Sequence, residues 1–151
     1  MLLFRGFSLM ELMIVLAIIA LLTAIGIPAY QTYTTRAKFA EAFSLNAVAQ
    51  LAVAEYQQTT GEWPQDNLQA GLSAPDTING NYISEVSIMQ NQITTTFKSD
   101  AGVGIADKAL ILAANLGQAG QIIWQCYSLT ITPDFLPPNC RGIDKLELLL
   151  E

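Results

Sequence analysis

The sequence has no histidine and only two cysteines among its 151 residues. Without histidine, the chain cannot form the Ser-His-Asp or Cys-His arrangements of nucleophilic catalysis, and zinc sites built on His and Cys are excluded. It also contains no GxxxxGK[ST] phosphate-binding loop, so it has no evident means of hydrolysing nucleotide. These absences exclude most familiar classes of enzyme, and we expect a protein that is not an enzyme and that has no catalytic residue, no metal site and no cofactor.

Charge is also sparse, since charged residues make up 13% of the chain and the formal net charge is −6. Binding of nucleic acid requires clustered Lys and Arg, so direct DNA binding is not predicted. Asp66 with Asp76, and Asp100 with Asp107, lack the ligand spacing of a calcium-binding EF-hand loop. Because both pairs lie in stretches rich in turn residues, we interpret these carboxylates as parts of turns.

One long apolar run lies near the N-terminus, over residues 7–27, FSLMELMIVLAIIALLTAIGI. A helix of that length spans about 31 Å, which matches the hydrocarbon core of a bilayer. Arg5 precedes the run, so the positive-inside rule predicts that the chain after Ile27 leaves the cytoplasm. A cleaved secretory signal peptide is the alternative, but it fits less well because the run is long and Pro28 follows it.

Glu11 is the one charged residue within this run. A carboxylate is costly inside a membrane and is rarely kept there without a use. A simpler interpretation is that Glu11, near a helix end, reaches the lipid headgroups. The junction Gly6-Phe7, which follows a leader of six residues, favours a functional role instead.

Gly6, Phe7, Glu11 and Pro28, at these spacings, resemble the N-terminus of the type IV pilin family. In that family a membrane-embedded aspartyl peptidase removes a short leader after the Gly, the new N-terminal Phe is N-methylated, and the Glu guides subunits into a filament. The resemblance therefore implies a leader over residues 1–6, cleavage between Gly6 and Phe7, N-methylation of Phe7, and assembly roles for Glu11 and Phe7.

Physical chemistry agrees with this implied assembly role. After cleavage, the cationic amine of Phe7 would lie about one helical turn from Glu11. Pairing the Glu11 carboxylate with the Phe7 amine of the same or a neighbouring subunit relieves the cost of burying each charge alone. Such a pair would also fix the axial register between packed helices.

Helix-forming residues continue past Pro28, so the sequence predicts one long helix over residues 7–57, with 7–27 as the transmembrane segment and filament core. The amphipathic second half is expected to pack on a domain through an apolar face at helical spacing. That expected face consists of Tyr30, Tyr33, Ala37, Ala40, Ala47, Leu51 and Ala54. Gly26 and Pro28 weaken one turn, which predicts either a kink or, as the resemblance implies, a helix break where packed helices unwind.

Residues 58–151 are expected to form a globular head. A loop rich in Gly, Pro, Asn and Asp covers residues 58–78, and four strands are predicted after it. The predicted strands are residues 82–88, 92–98, 109–113 and 121–131. One long helix followed by four short strands predicts an α+β fold, in which the helix packs on a four-stranded antiparallel sheet.

Segments of the head, among them Gly61-Glu62-Trp63-Pro64 and residues 136–141, also resemble the pilin family and favour a pilin with a C-terminal Cys loop. Cys126 and Cys140 are predicted to reach an oxidising compartment and to form an intramolecular disulfide. The loop that they close would present a surface for adhesion, or would only staple the C-terminal region to the sheet. Residues 143–151, IDKLELLLE, depart from the family pattern: they could pack on the domain, contact a neighbour or mark a specialised subunit.

The resemblance implies a structural subunit of a type IV pilus that polymerises through its apolar helix into a surface filament for adhesion and twitching motility. The implied partners are other pilin subunits, a prepilin peptidase, the inner-membrane assembly machinery and a host or abiotic surface receptor. The implied location is the inner membrane before assembly and the extracellular pilus of a bacterium afterwards. Two alternatives are a pseudopilin of type II secretion and a membrane-anchored periplasmic binding domain that never polymerises.

Overall fold

The structure is a computed structural model that describes residues 6–141. Its internal contacts divide the chain into two units, one up to Tyr33 and one from Thr34 onward. A single helix, α1 (Leu9–Thr60), contributes residues to both units. Most of the predicted leader and the atypical segment 143–151 lie outside the described residues.

The first unit consists of the N-terminal part of α1 and the three residues before it. Every residue from 6 to 31 is exposed, including Phe7 at 71% and Ile25 at 70%. Among the described residues, α1 is the one helix that is long and apolar enough to cross a membrane, as judged by length and composition. Because water solvates such a surface poorly, this segment requires lipid or other protein around it.

The helix is continuous through Gly26 and Pro28. Pro28 has no backbone N–H to donate, so the helix lacks one hydrogen bond at this position without being interrupted. Thr23 donates to the Ile19 carbonyl (2.9 Å), and Thr32 donates to the Pro28 carbonyl (3.1 Å). The predicted helix break is therefore absent from this structure, and unwinding within a filament stays a prediction.

The second unit contains the sheet. Its strands are β1 (Ile83–Met89), β2 (Gln92–Phe97), β3 (Ala109–Leu116) and β4 (Ile122–Tyr127), and they form an antiparallel sheet in the order β1-β2-β3-β4. The predicted α+β fold is confirmed. The fourth strand ends earlier than predicted because the Ser128 hydroxyl turns the chain: it accepts hydrogen bonds from the backbone N–H groups of Thr130 (3.2 Å) and Ile131 (3.0 Å).

The face of α1 that packs on the sheet is not the expected one. Tyr33 is 75% exposed and Leu51 is 69% exposed. The residues that are buried instead recur every three or four positions: Thr35, Phe39, Ala42, Asn46, Ala49 and Val53. Two of these six are polar, and alanine is common all round this part of the helix, so hydropathy did not distinguish the faces. On this buried face of α1, the Phe39 ring packs edge-on against the Phe97 ring of β2, with 5.1 Å between ring centroids.

Two alanines test this assignment directly. Ala42 is fully buried, whereas Ala40, two positions earlier, is exposed. We expect Ala42→Leu to overpack the core and to lower the free energy of unfolding by about 1–3 kcal/mol. Ala40→Leu, the matched control, should change it by less than about 0.5 kcal/mol. Urea unfolding of the full chain in detergent micelles measures both, and a larger loss from Ala40→Leu would contradict the assignment.

Candidate functional site

The first candidate site is the start of α1, where the predicted cleavage and assembly residues lie. Gly6, Phe7 and Ser8 are outside the helix and exposed, and the first helical amides, those of Glu11 and Leu12, donate to the Ser8 carbonyl at 3.1 and 3.2 Å. The bond between Gly6 and Phe7 is therefore free of helical hydrogen bonding. This geometry leaves the bond open to a peptidase.

Glu11 lies in the first turn of α1, with its side chain exposed. The partial positive charge of a helix N-terminus favours a carboxylate at this position. No residue between Glu11 and Arg36 carries a charge. The apolar part of its own helix therefore offers Glu11 no cation, and a full countercharge has to come from the end of the chain or from another molecule.

The second candidate site is the disulfide loop, residues 126–140. Cys126 in β4 and Cys140, at the end of a short 3-10 helix (Pro138–Cys140), form a disulfide with their Cα atoms 4.5 Å apart. The predicted pairing is confirmed.

Side-chain contacts also shape this loop. The Ser128 hydroxyl donates to the Ala109 carbonyl (2.5 Å), and the Ala109 N–H donates to the Thr130 hydroxyl (3.1 Å), so the start of the loop is bonded to β3. Phe135 lies against Gly104, where any added side chain would run into its ring. Within residues 6–141 no second strand pairs with the loop, and these contacts hold it against β3 and Gly104 instead.

An exposed surface remains on the fixed loop. Ile131 and Leu136 are buried at 4% and 3% exposure, and they anchor the loop from within. Leu129, by contrast, is 54% exposed. We call five of the exposed residues the loop surface: Leu129, Thr132, Pro133, Pro138 and Asn139. It combines apolar and polar groups on a loop, the kind of segment in which binding residues are disproportionately found.

Three charged residues of α1 bind the backbone of three different segments, a role that the sequence did not reveal. The Arg36 guanidinium donates to the Asp134 carbonyl in the disulfide loop (2.6 Å). The Lys38 ammonium donates to the Ala101 carbonyl (2.6 Å). The Glu41 carboxylate accepts the backbone N–H groups of Asn81 and Tyr82. Charge-assisted bonds of this kind are stronger than neutral ones, so these few charges fix the loops around the helix.

The remaining residues considered from the sequence have structural roles. The Asp66 carboxylate accepts the Gln69 N–H (2.7 Å), which makes it a turn residue as interpreted. Asp107 adopts a positive φ of 55° within a turn. Trp63 and Trp124 are partly buried against the core. Within residues 6–141, no group of three or more His, Cys, Asp or Glu side chains is placed to hold a metal ion.

Comparisons with known proteins cover the parts of the chain that contain both candidate sites. A family model described as pilin (bacterial filament) matches residues 35–141, and one described as the prokaryotic N-terminal methylation motif matches residues 1–27. The chain is similar to the fimbrial protein EcpC of Eikenella corrodens, with 42% identity over 144 residues, 91% of each protein. It is similar to the type IV major pilin protein PilE of Neisseria gonorrhoeae, with 42% identity over 123 residues, 81% of this chain and 73% of PilE. A fimbrial protein of Pseudomonas aeruginosa is 32% identical over 153 residues, 90% of this chain and 96% of that protein.

The fold, the exposed apolar helix and these matches define the class of bacterial filament subunits. Within that class, the chain belongs to the type IV pilin family. It is a structural subunit of a pilus. The matched relatives are pilins and fimbrial proteins, so neither the pseudopilin nor the non-polymerising periplasmic domain is favoured.

The disulfide is expected to stabilise the head substantially. A loop closed over 14 positions contributes about 3 kcal/mol in the chain-entropy model. Replacing both cysteines, Cys126→Ser with Cys140→Ser, should therefore lower the free energy of unfolding by about that amount, measured by urea unfolding without reductant. Thiol labelling of the denatured wild-type chain should find no free cysteine. Stoichiometric labelling of both residues would refute the bond.

Proposed function

We propose that the chain is made as a precursor, is cut between Gly6 and Phe7 by a prepilin peptidase, and then polymerises through residues 7–27 into a surface pilus. The observation that supports this most strongly is Glu11, the one charge in an exposed apolar helix, one turn from the amine that cleavage creates at Phe7. Neither group has another full countercharge in the apolar segment. The Glu11 carboxylate and the Phe7 amine would therefore serve as countercharges for each other.

Pairing Glu11 with the Phe7 amine would act as a register device. Two unpaired charges in a low-dielectric helix bundle are strongly unfavourable, so only staggers that bring an amine to each carboxylate remain accessible. Apolar contacts alone tolerate many staggers, because Leu, Ile and Ala side chains pack in similar ways along the helix. The charge pair would thus select one axial offset between subunits.

Burial of the apolar helix cannot by itself drive subunits out of the membrane. Lipid tails already solvate these side chains, so moving from lipid to a helix bundle gains mainly packing contacts. The sequence contains no phosphate-binding loop that could supply work. We therefore propose that inner-membrane assembly machinery extracts the subunits, and that the protein itself has no catalytic role.

The head would face outward once the filament has left the cell. The loop surface is the part of the head that we propose for contact with a host or abiotic surface, and adhesion and twitching motility are the functions that such a pilus would serve. Arg36 and Lys38, two of the few basic residues, are already bonded to backbone carbonyls. Direct DNA binding is therefore not part of the proposal.

Leader removal is tested by mass. Removing 6 of the 151 residues leaves 145, so filaments sheared from cells should contain a chain that begins with N-methylated Phe7. Gly6→Leu places a bulky side chain beside the bond and should leave the precursor uncut and absent from filaments. Intact residues 1–6 in assembled wild-type filaments would contradict the proposed processing.

The assembly role of Glu11 is tested by separating insertion from polymerisation. Glu11→Ala removes a charge from the apolar helix, so membrane insertion becomes easier while register selection is lost. We expect full amounts of mutant protein in the inner membrane, and filaments reduced at least about tenfold by electron microscopy and shear assay. Glu55→Ala, at an exposed position of α1 far from the apolar segment, is the matched control and should assemble normally. Abundant filaments from Glu11→Ala would rule out the role.

A further inference from the structure

The strand β1 lies at an edge of the sheet, where within residues 6–141 it has β2 as its one neighbouring strand. An edge strand presents backbone N–H and C=O groups that can pair with another chain. On β1, the Val86 C=O and the Ile88 N–H point away from β2, toward the loop that follows α1. Because the N–H and C=O of one strand residue point the same way, the Val86 N–H and the Ile88 C=O share this direction. The edge of β1 therefore has four outward backbone groups.

The side chain of Asn67, in the loop after α1, occupies two of these four groups. Its Nδ2 donates to the Val86 carbonyl (2.8 Å), and its Oδ1 accepts the Ile88 N–H (2.7 Å). The same Nδ2 also donates to the Ser73 carbonyl of its own loop (3.2 Å). The Asn67 side chain is buried, at 1% exposure. One side-chain amide thus takes the place of a peptide group of a neighbouring strand.

The turn that contains Asn67 holds this amide against β1. The Leu72 N–H donates to the Asn67 carbonyl (2.8 Å), and the Asp66 carboxylate accepts the Gln69 N–H (2.7 Å). Leu72 also packs, partly buried, against the core. An amide supplies a donor and an acceptor from one planar group, whereas a leucine of similar shape supplies neither. The chemistry at this position therefore requires an amide, and size alone does not satisfy it.

We propose that the edge of β1 is a pairing surface for a second copy of the chain, and that Asn67 blocks it. Two copies can pair antiparallel about a two-fold axis at Ser87, because Val86 of each copy then lies opposite Ile88 of the other. In this register the four outward groups of each strand meet those of the second strand. Asn67 occupies two of the four and fills the space that the second strand would need.

A second copy is the relevant partner because the chain is a filament subunit. Assembly places many identical heads close together, so the effective concentration of β1 is far above that in dilute solution. The β1 sequence, ISEVSIM, contains one charged residue, Glu85, and no proline, so its own side chains oppose edge pairing only weakly. In the register centred on Ser87, Glu85 lies opposite Met89 of the second copy, and like charges do not meet. Asn67 is thus the group that keeps neighbouring heads from joining through their sheets.

Replacement of Asn67 tests the proposal on the full chain in detergent micelles, which requires neither leader removal nor filament assembly. Asn67→Leu keeps the approximate shape but removes the donor and the acceptor. At low protein concentration, we expect the amide of Ile88 to exchange at least about tenfold faster than in the wild type, because it loses its hydrogen bond. At high concentration it should become protected again, and sedimentation should detect a paired species that the wild type does not form.

Two kinds of control separate edge pairing from general damage. Asn79→Leu is the matched control, since the exposed Asn79 amide donates within its own turn, to the Asp76 carbonyl (2.8 Å). It should leave exchange at Ile88 and sedimentation unchanged. Ser87→Lys, added to Asn67→Leu, should abolish the pair, because the two-fold axis brings like charges together. Ser87→Thr, added in the same way, should retain it.

A second replacement keeps the test valid if Asn67→Leu does not fold, as judged by lost amide protection throughout β3. The same measurements then apply to Asn67→Ser, whose short hydroxyl cannot bond to both Val86 and Ile88. A folded variant that stays unpaired at every concentration would overturn the proposal. A pair that survives Ser87→Lys, or one that the wild type forms to the same extent, would also overturn it.

Discussion

The assembly that we propose depends on the electrostatics of one carboxylate. Glu11 lies in a helix whose next charged residue is Arg36, so burial of this helix in lipid or protein leaves Glu11 without a cation on its own apolar segment. The helix N-terminus supplies only a partial positive charge. Removal of six residues would create a full one at Phe7. In the assembly that we propose, leader removal would supply the cation that Glu11 lacks, and pairing of the two charges would set the filament register.

Charged residues are also few in the part of α1 that packs on the sheet, and three of them have a structural role. Arg36, Lys38 and Glu41 each bond to the backbone of a neighbouring segment, so the part of α1 that packs on the sheet also fixes the surrounding loops. Inside the core, the Asn46 amide accepts the Thr95 hydroxyl of β2 (2.5 Å). Another register of helix against sheet would leave both of these buried polar groups without a partner, which is unfavourable. The bond from Arg36 to the Asp134 carbonyl thus helps to hold the disulfide loop in place without a binding partner.

Much of the fold could be predicted because its signals are local. Alternation in 82–88 and 92–98 marks a hairpin, and an unbroken run of helix formers marks α1. The buried face of α1 could not be predicted, because Thr35 and Asn46 are buried for their hydrogen bonds and not for hydrophobicity. The early end of β4 depends on the Ser128 hydroxyl, which strand patterns do not register. The disulfide was predictable because the chain has only two cysteines and both are expected in an oxidising compartment. The contacts that shape its loop join residues far apart in the sequence, so they could not be predicted.

The most direct measurement is a filament reconstruction at a resolution that shows side chains, made from filaments sheared from cells. We expect the Glu11 carboxylate within about 4 Å of a Phe7 amine, in the same or a neighbouring subunit, at every position along the filament. A Glu11 side chain that points to solvent, or that lies in the filament core with no amine near it, would contradict the central claim.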